Sequence, residues 1–147
     1  MIQYRDISYK DIELIKVLWE RNRQYHEETS EFFGEAYKGL EFEDRIKGFG
    51  DFDSEYIKIT LAENDKVVVG YCLSVIENHD GEVATLHVLE EMRGRGIGVC
   101  LMQSHLQWLK ESGCSDIKVV VSQENDHTIE FYRKLGFYPS TIQMHMK

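Results

Sequence analysis

The chain has 147 residues, of which 42% are hydrophobic and 29% charged, and this length and composition predict a single globular domain over residues 1–147 rather than a disordered or fibrous protein. Its net charge of −9 argues against nucleic acid or an anionic membrane as a partner, because both require clustered positive charge. The charged start and the shortness of the most apolar stretch, residues 67–76, predict neither a secretory signal nor a membrane span, and we therefore expect a cytoplasmic protein.

The first predicted element is a helix over residues 9–27. Ser8 and Asp11 have the spacing of a capping box. One helical face then carries Ile12, Ile15, Leu18, Trp19 and Asn22. A second, more polar helix is expected within residues 30–47.

Acidic residues outnumber basic ones between Glu27 and Glu55. A solvated surface accounts for this pattern, and so does attraction for a cationic small-molecule partner. Both interpretations stay open at this point.

Three β-rich runs follow, over residues 55–62, 67–77 and 82–89, and the turn-forming stretches "ENDK" and "ENHDG" between them predict antiparallel hairpins. Period-two alternation assigns the third run two faces. One face would carry Glu82, Ala84, Leu86 and Val88, and the other Val83, Thr85, His87 and Leu89. Glu82 and His87 should therefore point in opposite directions.

The second half of the chain predicts helix, strand, helix and strand. A broad apolar face starts at Ile97 and ends before Gly113, a typical residue after a helix C-terminus. A short strand over 116–122, a helix ending at Gly136 and an edge strand over 140–147 follow; this edge strand could pair in a dimer. The strand–helix–strand unit over 82–122 requires a parallel pair, so we expect an α+β fold built on a mixed sheet.

The stretch "EEMRGRGIG", residues 90–98, lies between a strand and a helix. Gly94, Gly96 and Gly98 allow close backbone approach, and free amides at a helix N-terminus attract anions. The spacing matches neither a Walker A loop nor the G-x-G-x-x-G dinucleotide fingerprint. On these residues alone, a phosphate cradle and a tight turn without a ligand are both possible readings.

A second motif lies thirty residues downstream. The pattern R-x-x-G-x-G, with Arg93, Gly96 and Gly98, is followed by "NDHTIEFYRKLGF", which carries Asn125, Phe131, Tyr132, Lys134, Gly136 and Phe137. These two motifs, in this order, resemble motifs A and B of the GNAT superfamily of N-acetyltransferases. The resemblance covers essentially the whole chain and is most specific over residues 82–138. Many members have proline where Glu90 stands and alanine where Thr128 stands.

This resemblance implies a seven-stranded, mostly antiparallel sheet with a central parallel pair and about four flanking helices. It implies acetyl-coenzyme A as co-substrate and no metal. The residues expected to hold the pyrophosphate are Arg93, Gly94, Arg95, Gly96, Ile97, Gly98 and Val99. The pantetheine arm would contact Asn125 and would pair with the backbone of Leu86 and Val88, as an added β-strand does. The amide of Val88 is also the expected donor to the oxyanion.

Acetyl transfer to an amine requires a proton acceptor for the amine and a proton donor for the leaving thiolate. Tyr132 has the motif position of the general acid; a packed tyrosine is the alternative. Glu82 resembles in placement the glutamate that acts as base in some members, although an exposed glutamate at the start of a strand, or a proton path through waters, fits as well. His87 ranks lower as a base because it should face away from Glu82.

The sequence therefore predicts an N-acetyltransferase acting on a primary amine, with a small cationic acceptor preferred. Alternatives are a protein N-terminal or lysine acetyltransferase and a non-catalytic acyl-coenzyme A-binding module. Cys72, Cys100 and Cys114 are widely spaced and odd in number, which predicts free thiols without a metal.

Overall fold

A computed structural model describes residues 1–147 and contains one five-stranded sheet. The strands follow chain order across the sheet, and only the last pair is parallel. They are β1 (Ile2–Ile7), β2 (Ile57–Asn64), β3 (Val67–Glu77), β4 (Asp80–Val88) and β5 (Asp116–Val119). The predicted α+β architecture with one parallel pair is confirmed, but the sheet has five strands rather than seven.

Five α-helices accompany the sheet. They are α1 (Lys16–Thr29), α2 (Gly34–Lys38), α3 (Phe42–Ile46), α4 (Ile97–Glu111) and α5 (Asp126–Lys134). On one face of the sheet, α1 and α3 contribute Leu18, Trp19 and Phe42 to a core with Tyr71 and Leu73 of β3. On the other face, α4 and α5 enclose a second core. None of the helices combines the length and apolar character needed to cross a lipid bilayer.

The predicted hairpins are confirmed, with tight turns at both ends of β3. Asp65 and Lys66 have φ of 50° and 68°, and Asn78 and His79 have φ of 52° and 69°. Two successive positive φ angles are the geometry of a type I′ turn, whose twist matches that of the flanking strands. The helix after the glycines also ends as predicted, because Gly113 adopts φ +78° and the N–H of Cys114 donates to the carbonyl of Leu109 at 3.2 Å.

Two predictions near the chain ends are wrong. The chain over Tyr9–Ile15 is a 3₁₀ helix and the α-helix begins only at Lys16; the Ser8 side chain makes no capping bond. Residues 140–147 form no strand. Ile142 and Met144 of this segment remain exposed, while His145 and Lys147 lie against Phe33. Without a buried apolar face, an alternating pattern does not stabilise a strand.

A β-bulge in β4 changes which side chains face which layer. Thr85 pairs with Leu73 and Val83 with Ser74, so Ala84 is the extra residue. Its carbonyl accepts from Nη2 of Arg45 at 3.3 Å. The predicted alternation therefore reverses at this point, and Glu82 and His87 lie on the same face of the sheet, the one covered by α1. The prediction that they point in opposite directions is wrong.

A buried polar network joins α4 to the opposite edge of the sheet. His105 is fully buried, with Nε2 2.8 Å from Thr60 Oγ1 and Nδ1 2.7 Å from Ser74 Oγ. Thr60 in turn donates to Asp6 Oδ1 at 2.6 Å, which leaves it to accept from Nε2 of His105. Burial lowers the pKa of His105 to about 3. Both ring nitrogens of this neutral histidine are occupied, so we interpret it as structural.

Candidate active site

A cavity of about 650 Å³ opens where β4 and β5 separate. These strands pair only from Asp80 with Asp116 to Val83 with Val119, whereas β4 continues to Val88. The edge of β4 after the bulge is thus unpaired towards β5 and lines the cavity, including Leu86 and Val88. This places both residues where the sequence predicted an extended ligand would add to the sheet.

The glycine turn forms one wall of this cavity and holds a row of free amides. Gly94 and Gly96 both adopt φ +80°, a conformation that side chains rarely tolerate. The first helical bond of α4 runs from the N–H of Cys100 to the carbonyl of Gly96 at 3.0 Å. The backbone N–H groups from Gly94 to Val99 donate to no backbone carbonyl. Unpaired amides at the positive end of a fifteen-residue helix fit a bound anion such as a pyrophosphate.

Gly98 allows close packing between α4 and α5. A Cβ atom built on it would lie 3.3 Å from the Phe131 ring and 3.9 Å from Val88. The ring of Phe131 therefore lies directly beside the glycine turn, and both residues line the cavity. The two sequence motifs meet at this contact.

The two arginines of the turn differ in position. Arg93 lines the cavity, and its Nε donates to the carbonyl of Val88 at 3.2 Å, which fixes the turn to the end of β4. Arg95 is exposed and is not part of the cavity wall. Both arginines were predicted to hold the pyrophosphate. Arg93 lines the cavity, whereas Arg95 lies at the outer surface.

Tyr132 lies at the cavity wall on α5, with 9% of its surface exposed. Burial raises the pKa of its hydroxyl, and the neighbouring Cys72 and Tyr71 raise it further. The ring packs edge-on against Phe131 and Phe137, at 5.2 and 5.7 Å between centroids. Packing therefore fixes the ring, while its hydroxyl stays protonated at neutral pH because its pKa is raised.

Asn125 caps α5 and also lines the cavity. Its Oδ1 accepts from the N–H of Thr128 at 3.2 Å, as expected for an N-cap. The side-chain amide nitrogen remains available to a ligand.

Glu82 lies outside the cavity. It is half-buried in the segment where β4 still pairs with β5, opposite Lys118. The structure therefore leaves the predicted base outside the cavity wall, whereas the predicted acid, Tyr132, is part of it.

The family resemblance implies that the first two helices shape the acceptor site, but no residue of α1 was predicted as part of it. The α1 side of the cavity is formed by Asn22, Tyr25 and His26 of α1 together with Thr85 and His87 of β4. One sequence signal could have found it: Asn22 is polar on the otherwise apolar face of α1, and Tyr25 and His26 follow it by three and four residues. His87 was ranked below Glu82 because the bulge is invisible to a period-two count.

None of the acidic residues between Glu27 and Glu55 lines this cavity. Glu27 and Glu43 pair with Arg23 and Lys16, while Asp51, Asp53 and Glu55 border a separate depression beside the β3–β4 turn. The three cysteines are free, and no group of His, Cys, Asp or Glu side chains is arranged to hold a metal ion.

The Acetyltransferase (GNAT) family model matches residues 18–137. The mycothiol acetyltransferase of Corynebacterium jeikeium (strain K411) is 28% identical over 135 residues, which cover 90% of this chain but 35% of that protein. The chain thus spans about a third of this relative's length.

Two solved structures share the fold. One is the PaiA N-acetyltransferase from Thermoplasma acidophilum in complex with coenzyme A, with a TM-score of 0.74, 19% identity and coverage of 97% of this chain and 93% of that chain. The other is the aminoglycoside N-acetyltransferase AAC(6′)-Iy in complex with coenzyme A, with a TM-score of 0.67, 17% identity and coverage of 99% and 98%.

Proposed function

Because the chain belongs to the acetyltransferase (GNAT) family, we propose that it transfers an acetyl group from acetyl-coenzyme A to a primary amine on a small acceptor. The observation that carries this proposal is the row of free amides at the glycine turn, placed beside the unpaired edge of β4 in one cavity. An anionic group and an extended, peptide-like arm can be held there at the same time.

The donor half of the site is assigned from this geometry. The backbone from Arg93 to Val99 would hold the pyrophosphate, and the edge at Leu86 and Val88 would pair with the pantetheine arm, with Asn125 contributing its side-chain amide. Acetyl-coenzyme A supplies the activated acetyl thioester. The same edge offers the Val88 amide to the carbonyl oxygen of the acetyl group as it becomes negative.

We assign Tyr132 as the general acid that protonates the leaving thiolate. It is buried beside the donor edge, its raised pKa keeps the hydroxyl protonated, and packing against Phe131 and Phe137 fixes its direction. Glu82 stays a prediction as the base, because it lies outside the cavity wall.

A small amine acceptor is supported by the size of the cavity and by the relatives, whose names refer to mycothiol and to aminoglycosides. The acidic segment between Glu27 and Glu55 would act on a cationic acceptor only from a distance. A protein N-terminus or lysine would have to reach the same wall, formed by Asn22, Tyr25 and His26. A cytoplasmic location and a dimer stay predictions from the sequence.

The function is tested by measuring thiol release from acetyl-coenzyme A across a panel of amines, including glucosamine, glycinamide, spermidine and a lysine peptide. We expect turnover with at least one amine and, in Tyr132→Phe, a fall in kcat of about 100-fold or more, since a positioned general acid contributes about that much. Tyr138→Phe is the matched control, because Tyr138 is 81% exposed. Binding of acetyl-coenzyme A without turnover on any amine would instead favour a non-catalytic binding module.

A further inference from the structure

The bulge in β4 brings an imidazole into the site. Because Ala84 is inserted, His87 lies on the sheet face covered by α1 and borders the cavity next to His26. Only 7% of His87 is exposed. It lies close enough to His26, Arg21 and Arg93 for their charges to lower its pKa.

His87 differs from an ordinary buried histidine because no protein group hydrogen-bonds to its ring. None of the side-chain hydrogen bonds of the protein involves His87, and no fully buried side-chain nitrogen or oxygen is left without a partner. The ring nitrogens of His87 are therefore not fully buried, and the residue borders the cavity, where solvent or a ligand can reach it. A buried histidine without a structural partner points to a role in binding or catalysis.

We propose that His87 takes the proton from the acceptor amine, and that this amine binds in its uncharged form. The inference rests on the proposed acetyl transfer and deepens it by naming the base and the class of acceptor. Glu82 is not needed for this step.

The step balances with the groups at hand. The lone pair of the amine forms the new bond to the acetyl carbon, the bond between that carbon and sulfur breaks, and the electron pair leaves on sulfur. His87 takes the proton released by the nitrogen, and Tyr132 gives its hydroxyl proton to the thiolate. Proton exchange with water then restores both side chains, so the net products are an N-acetyl amide and a free thiol.

The surroundings of His87 favour an uncharged amine. No carboxylate borders the cavity. Burial lowers the pKa of His87 to about 4, and burial also lowers that of His26, although Glu124 opposes the latter shift. Around His87, α1 contributes Arg21 and His26 and the glycine turn contributes Arg93, whereas its β3 neighbour Tyr71 has a raised pKa and is uncharged. An ammonium group finds no counter-ion here, so weakly basic amines should react best.

The test compares His87→Asn with His79→Asn. His79 lies in the β3–β4 turn at a positive φ that asparagine tolerates, and it does not border the cavity. We expect kcat to fall about 100-fold in His87→Asn, with an unchanged rise in Tm on adding acetyl-coenzyme A, and no change in His79→Asn. If His87→Asn does not fold, His87→Gln serves the same purpose.

Two further readouts separate catalysis from packing. Added imidazole should restore part of the rate in His87→Ala, which a merely structural role would not predict. At neutral pH the wild type should have at least tenfold higher kcat/KM for glucosamine or glycinamide than for the more basic spermidine or agmatine.

Three results would overturn the inference. These are a kcat in His87→Asn within about threefold of wild type, a loss confined to Glu82→Gln, or a preference for spermidine at neutral pH. Wild-type protein inactive on every amine would contradict the proposed function itself, whereas activity that survives in His87→Asn contradicts only the role of His87.

Discussion

The two faces of the sheet each bury a histidine, and the two residues are held in opposite ways. On the α4 face, His105 has both ring nitrogens bonded, to Thr60 and Ser74. On the α1 face, His87 has no protein partner and borders the cavity. Burial alone therefore does not reveal a functional histidine; what distinguishes His87 is the missing hydrogen bond.

The same contrast extends to the elements around them. The α4 face has two regular helices, a glycine turn and a capped N-terminus at Asn125, all dictated by backbone geometry. The α1 face is built from one helix, two five-residue helices and 3₁₀ segments. Local backbone geometry determines the α4 face, whereas the packing of short, irregular elements determines the α1 face. Paired substitutions, one on each face, test this division.

The largest effect should come from acid. Burial lowers the folded-state pKa of both histidines, to about 3 for His105 and about 4 for His87, from an ordinary value of 6.5. Their contribution to stability is therefore complete above about pH 6.5 and is lost as the pH falls towards these values. At pH 5, each histidine should lower the free energy of unfolding by about 2 kcal/mol relative to pH 7.5.

Chemical denaturation at the two pH values measures this loss in the free energy of unfolding. His87→Asn should remove the part of the acid loss that comes from His87, about 2 kcal/mol, while His79→Asn should leave the loss unchanged. An identical acid loss in wild type and His87→Asn would show that His87 is not buried in its neutral form.

Substitutions at two glycines should give the next largest difference. A valine at Gly98 would push against Phe131 and the end of β4, so Gly98→Val should weaken acetyl-coenzyme A binding at least tenfold, which is about 1.4 kcal/mol. Gly48 on the α1 side has nothing within 4 Å of an added Cβ, and Gly48→Ala should bind normally. Isothermal titration compares them; equal affinities would contradict the close packing of the two motifs.

Two helix starts offer a smaller contrast. Asn125 makes a capping bond to Thr128, whereas Ser8 makes none. Asn125→Ala should cost about 1 kcal/mol, or about 3 °C in Tm, and Ser8→Ala less than half of that. Calorimetry is sufficient, and a larger loss from Ser8→Ala would reverse the comparison.

The smallest effect is expected at the surface. Arg95→Glu should weaken acetyl-coenzyme A binding a few-fold at low salt and less at high salt, because Arg95 is exposed and its charge is screened. Lys47→Glu makes the same charge change on the α1 side and should not alter the dissociation constant. If the two variants weaken binding equally, net charge rather than the position of Arg95 is responsible.

The turns and helix ends were predicted well from the sequence because they depend on local rules. The turns at Asp65–Lys66 and Asn78–His79, the glycine turn and the end of α4 each require particular residues at particular φ angles. Asn125 is the N-cap of α5, a position at which asparagine is favoured. The edge of β4 at Leu86 and Val88, where the family resemblance implies an added strand, is unpaired towards β5.

The α1 side of the cavity depends on a β-bulge and on helix packing, which local sequence rules do not predict. A single inserted residue, Ala84, reverses the facing of the rest of β4, and an alternating pattern cannot show where an insertion lies. This is why Glu82 was favoured over His87. Residues 140–147 alternate in the same way, yet their apolar side chains Ile142 and Met144 are not buried. The lining by Asn22, Tyr25 and His26 follows only from the packing of α1 against β4.

The short parallel pairing of β4 with β5 also bears on how the protein folds and opens. Strands β2, β3 and β4 are joined by two-residue turns, so they can pair with little loss of chain entropy. Strand β5 can pair with β4 only after the α4 crossover has brought it to the sheet. It is then held by four residue pairs. We expect the amides of β5 to exchange with solvent hydrogen sooner than those of β3. We therefore expect the cavity to form last during folding and to open first in fluctuations of the native state. In the proposed reaction, this opening would let coenzyme A leave without unfolding the rest of the sheet.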